Sequence, residues 1–196
     1  MDVQGNVIAQ RVVHIPAKFK IHDDIDIIFD VTNKVAEFIQ DRNVLAVCIE
    51  TPAMSAMSMR SKQLNMLFGS IVKALELPYF IGNPTAIKKF ATGKGSHNKS
   101  EKKEVMIDAW IDADSVSHSK AHKFLTRTYT KSVVTRAIGD LADSFWLANY
   151  GLHQLRVHIP DIGDIPRTKD DVASAIANLN PSVLVADIDM EKLDDT

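Results

Sequence analysis

The run Asn43-Val44-Leu45-Ala46-Val47-Cys48-Ile49, closed by Glu50 and followed by Thr51-Pro52, decides how this chain reads. It is too short for a helix and almost continuously apolar, the pattern of a strand buried on both faces in a parallel sheet. Glu50 then stands at the carboxyl end of that strand, where the active groups of open α/β sheets gather. A charged residue at a strand end is more often plain surface, so Glu50 needs company before it means anything.

Working outward, residues 25–42 carry Ile28, Val31, Val35, Phe38 and Ile39 at helical spacing, and residues 56–77 carry Leu64, Leu67, Phe68, Ile71 and Leu75. Residues 78–81 read as a second short strand and 84–90 as a short helix. Strand–helix–strand order implies parallel pairing, hence an α/β sheet flanked by helices. Further on, 93–98 is a glycine-bearing loop, 99–111 a helix, 114–135 a polar, basic and poorly periodic loop or insertion, and 136–150 a helix with Ile138, Leu141, Phe145 and Ala148 inward. Before the first helix, 3–14 reads as two strand pieces around a Gly5-Asn6 turn. From Gly151 a tail with Pro160, Pro166 and Pro181 holds one short helix at 170–179 and an acidic end.

The 196 residues are 45% hydrophobic and 24% charged, with 8 Gly and 7 Pro, which excludes pervasive disorder and collagen-like repeats. No stretch approaches the roughly 20 apolar residues of a membrane span, and the first residues lack the basic and apolar regions of a secretory signal. One cysteine forms no internal disulfide or multi-cysteine zinc site, so a reducing, cytoplasmic compartment is expected. The net charge of −2 hides a split. Residues 84–136 hold eleven Lys+Arg against five Asp+Glu, and 153–196 hold four against nine. A basic middle segment suits a polyanion, although a charge run is usually a solvated helix face.

Asp140 and Asp143 lie three apart on the 136–150 helix and share a face, where like charges repel unless a cation intervenes. The pair alone is a weak signal. Joined by Glu50, it makes a hard-oxygen cage suited to magnesium, and two such ions could activate water and stabilise the leaving oxygen of a phosphodiester. The loop Gly93-Lys94-Gly95-Ser96-His97-Asn98-Lys99-Ser100 leads into a helix but lacks the glycine before Lys-Ser that a Walker loop needs. Lys88, Lys89, Lys94, Lys99, Lys102 and Lys103 could line a phosphate track.

In order along the chain, VCIE ending in Glu50, AIKKFATGKGSHNKS at 86–100 and IGDLADSFWLA at 138–148 resemble the RuvC-type Holliday-junction resolvases of the ribonuclease-H-like superfamily, in their phage or prophage branch. The resemblance covers residues 1–152 as a nuclease domain and leaves 153–196 as an acidic extension. It implies a ribonuclease-H-like mixed sheet, Glu50, Asp140 and Asp143 as metal ligands, Lys99 beside the scissile phosphate and Lys88 on DNA. It further implies a homodimer that nicks opposed strands of a four-way junction, with the dimer contact on the 56–77 helix. Met54, Met57, Met59 and Met66 suit such an adaptable surface, and equally an ordinary core.

The family's first strand, with its first catalytic aspartate, has no counterpart here, and Asp2 at the turn does not replace it. Amino-terminal truncation is the expectation, testable in the reading frame upstream of Met1. Three readings follow: a metal-dependent endonuclease on branched DNA, a junction-binding protein without cleavage, and the same fold put to an unrelated use. His118 and His122 are four apart without the glutamate of a zinc peptidase and read as surface. Cys48 reads as a small apolar filler, Trp110 and Trp146 as core, and His97 as a minor phosphate contact. No Gly-x-Ser-x-Gly elbow supports serine hydrolase chemistry.

Overall fold

Val47–Glu50 forms β1, the carboxyl-terminal half of the apolar run, and Tyr79–Gly82 forms β2. They pair in parallel, with Val47 opposite Tyr79 and Glu50 opposite Gly82. The structure, a computed structural model, describes residues 1–2, 4–11, 13, 24–40, 42–51, 59–95, 102–162 and 168–177. Around the strands lie α1 (Asp24–Gln40), α2 (Met59–Leu75), α3 (Pro84–Thr92), α4 (Lys102–Thr128), α5 (Lys131–His158) and α6 (Lys169–Ala177). The chain is thus α/β in the coarse sense, and mostly helical: six helices and one parallel strand pair among the described residues. None of its described helices is long and apolar enough to cross a membrane.

Helix α2 connects the two strands, as parallel pairing requires, and packs on α1, where Thr32 Oγ1 donates to Ser70 Oγ over 3.0 Å. Helix α5 lies against both strands, and α3 and α4 pack beside it. The main core gathers Ile87 of α3, Met106, Trp110 and Leu125 of α4, and Val134, Ile138, Leu141 and Phe145 of α5. A smaller cluster joins Phe80, Leu155, Ile159 and Ile162 to Val172 of α6. The expected helices at 25–42, 56–77, 84–90 and 170–179 form within a few residues of their expected ends.

Three expectations need correction. Residues 4–11 form no strand: the Asp2 carboxylate closes the turn by accepting from the Gln4 and Asn6 amides at 3.1 and 2.7 Å, but the segment after it has no ladder partner among the described residues. Val7 still packs on the main core, so its apolar character was legible although its pairing was not. Residues 114–135 are no loop, because α4 continues to Thr128 and α5 begins at Lys131. Periodicity fails there because Asp114 has non-helical dihedrals (φ −153°, ψ 77°), so the helical phase restarts, and small Ser117 and Ala121 share the buried face with Leu125. Helix α5 also runs past Tyr150 to His158. Gly151 does not end it: a Cβ there would lie 2.6 Å from that of Cys48, so its bare backbone serves the approach of α5 to β1.

Candidate functional site

The side of α5 that meets the sheet is written at four-residue intervals. Gly151 abuts Cys48 of β1, and Leu147 would crowd any Cβ added to Gly82 of β2. Asp143 comes within electrostatic reach of Glu50, at the end of β1. Gly139, one turn further on, lies under the side chain of Lys103 from α4. Residues 139, 143, 147 and 151 therefore form one stripe. Leu147 and Gly151 bury the helix on the strands, which carries Asp143 toward the strand ends, while Gly139 faces Lys103 of α4.

Helix α3 supplies the facing cation. It starts directly after β2, with Asn83 as its cap (Oδ1 accepts from the Thr85 amide at 2.8 Å) and Pro84 at its first position. Ile87 anchors it in the core. The next residue, Lys88, interacts with both Glu50 and Asp143. Gly93, at φ 75°, ends the helix in the left-handed conformation that a glycine adopts freely.

Glu50 is exposed. The surrounding protein still withholds water, and that desolvation, reinforced by Asp143, raises its carboxyl above the usual range against the pull of Lys88. Desolvation likewise raises Asp143, opposed by Lys103 and Lys88 and reinforced by Asp140. Asp140 is turned to Lys103, whose Nζ lies 3.0 Å from Oδ1, with both side chains more than half exposed. Among the described residues no three His, Cys, Asp or Glu groups close into one coordination shell.

Of the three expected ligands, Asp143 acts electrostatically on Glu50, and Asp140 acts on Asp143 while ion-paired with Lys103. The donors are hard oxygens, a cation already stands among them as the Lys103 ammonium, and Gly139 leaves room for it. The donor type suits a divalent ion, but the three do not assemble into a group that could hold one among the described residues. Lys89 is half-buried on α3 and Lys94 is exposed just after it. Lys102 starts α4. Lys99 and His97 lie outside the described residues. Sequence reasoning missed Gly139 as a cradle; a glycine inside a strong helical pattern, directly before Asp140, was its only signal.

The remaining singled-out residues take structural places. Trp110 is fully buried and donates from Nε1 to Ser117 Oγ at 2.9 Å. Trp146 is half-buried and donates to the Met106 carbonyl at 3.3 Å. The His118 ring sits edge-on against Trp110, 5.1 Å between centroids, with His122 beside it. Burial pushes the Cys48 thiol up to about 12, which suits packing and not nucleophilic attack. Compared with known proteins, the chain matches no family model, no curated protein and no solved structure.

Proposed function

We propose that the chain is a magnesium- or manganese-dependent endonuclease acting on branched DNA, of the Holliday-junction-resolving kind. The ribonuclease-H-like arrangement of its sheet, the homodimer and the cytoplasmic setting belong to the same reading. The observation that carries it is that Asp143, on a distant helix, acts electrostatically on Glu50 at a strand end, each raised by desolvation and attended by Lys88. Perturbed carboxyls with a specific charged neighbour mark candidate functional sites.

In this mechanism Glu50 and Asp143 would hold the ion, with Asp140 as the adjoining ligand. When bound, the divalent ion supplies Lewis-acid polarisation of the phosphodiester. The chain's own groups do the rest. The carboxylates concentrate negative charge that a cation would relieve, and Lys88 offers an ammonium to a DNA phosphate beside them. Lys94, Lys89 and Lys102 extend the basic track, and Lys99 screens charge developing at the phosphate.

The test is a synthetic four-way junction with magnesium, beside a gel shift in calcium. The parent chain is expected to nick paired strands, and Glu50→Gln and Asp143→Asn to lose about 100-fold or more of that activity while still shifting the junction. Undiminished nicking by either variant rejects the assignment. A second reading, junction binding without cleavage, is favoured by the lack of a closed three-ligand shell among the described residues. A shift in calcium with no nicking in magnesium or manganese selects it.

A further inference from the structure

We propose that the part of α4 beyond Asp114, with the amino-terminal segment facing it, binds single-stranded nucleic acid: its exposed rings stack on unpaired bases and its cations hold the phosphates.

Charge and exposure converge on this surface. Between Asp114 and Asp140 the chain has no acidic residue, against Lys120, Lys123, Arg127, Lys131 and Arg136. All five are exposed, and among the described residues none of them is held in an ion pair. Val116, Lys120, Phe124 and Arg127 follow at steps of four, four and three residues, so cations and apolar groups share one face of α4. Phe124 is 64% and Val116 61% exposed, which is not the make-up of a plain solvated helix face.

That face borders a groove of about 930 Å³. Residues 5–11 form one wall, Val116, Lys120, Phe124 and Tyr129 the other, and buried Leu141 and Phe145 of α5 give it an apolar floor. Arg11 and Lys120 are the cations of its lining, and Asp114, engaged in capping Ser117, is the one acid there among the described residues. A polyanion answers the charge, and exposed rings beside an apolar floor answer a flat base. A duplex keeps its bases in the stack, whereas a single strand splays them onto such rings. The groove is separate from the carboxylates: Leu141 and Phe145 flank Asp143 at two residues, about 200° around α5, so it opens on the opposite side of that helix. Strand binding here needs neither an ion nor Glu50.

The experiment is fluorescence anisotropy of the full chain, in EDTA, with a labelled oligothymidylate of about 15 nucleotides and with a duplex of equal length. The single strand is expected to bind about tenfold or more tightly than the duplex. Phe124→Ala removes an exposed ring and spares the core, and is expected to weaken strand binding about fivefold to a hundredfold. Lys123→Gln/Arg127→Gln is expected to lower the slope of log affinity against log salt by about 0.7 per charge, which a purely structural loss does not do. A strand left unbound at micromolar chain, a duplex bound as tightly as the strand, Phe124→Ala binding like the parent, or an unchanged salt slope each overturns the proposal. So does polyglutamate that competes as well as the same length of oligothymidylate, since the partner is then an acidic peptide. Because no divalent ion is present, strand binding that behaves as expected stands even where nicking of the junction fails.

Discussion

Gly139 and Gly151 sit on one stripe of α5, yet they leave room for different things. At 151 an added Cβ would meet the Cβ of Cys48 at 2.6 Å, and that atom belongs to a strand in the packed sheet. At 139 it would meet the flexible end of Lys103. Gly151→Ala is therefore expected to destabilise by about 1–3 kcal/mol through overpacking, more than its gain in helix propensity. Gly139→Ala is expected to be neutral or to stabilise by up to about 1 kcal/mol, because the atoms it crowds belong to the flexible end of Lys103. Urea unfolding separates the two, and equal losses at both positions would contradict this account. Neither role could be seen in the sequence, where Gly151 stood at an expected helix end and Gly139 drew no reading of its own.

At the scale of elements, the break in α4 is an ordinary helix start placed inside a long helix. The Asp114 carboxylate accepts from the Ser117 amide at 3.0 Å, as a cap does, and Ser117 Oγ receives the buried Trp110 indole N–H. Asp114→Ala is expected to cost about 1 kcal/mol. Ser117→Ala is expected to cost about 1–3 kcal/mol, because the indole donor would be left buried without an acceptor. Chemical denaturation of each variant checks both, and a Ser117→Ala chain as stable as the parent would refute the indole argument. Helices with large apolar stripes, such as α1 and α2, were legible in the sequence. The segment after Asp114 was not, since its buried positions are Ser117, Ala121 and Leu125 while Val116 and Phe124 face solvent.

Across the whole molecule, the acid cluster couples stability to pH. Glu50 and Asp143 titrate above the ordinary carboxylate range in the folded chain. Between that range, near about pH 4, and their raised values, the folded state holds more protons than the unfolded one, so their contribution to stability falls as pH rises through the window. Asp2 and Asp114 are lowered by hydrogen bonds and act oppositely, stabilising above the ordinary range and losing that effect under acid. The metal-free Glu50→Gln/Asp143→Asn double variant is thus expected to melt about 1–3 °C above the parent at neutral pH, a difference that shrinks on acidification through the window. Thermal melts across pH check it; a variant that melts below the parent at neutral pH would mean the two carboxylates do not burden each other.

From the sequence alone came what local pattern encodes: the apolar run ending in Glu50, the faces of α1, α2 and α5, and the shared side of Asp140 and Asp143. Periodicity reports which residues of one element look the same way, because it is a property of that element's own geometry. It does not report what stands opposite. That Asp143 meets Glu50, that Lys103 crosses Gly139 to reach Asp140, and that Gly151 admits β1 depend on how α3, α4 and α5 pack on the strands. Only the tertiary structure decided them, since contact between distant segments is settled by the volumes of the side chains that let them approach.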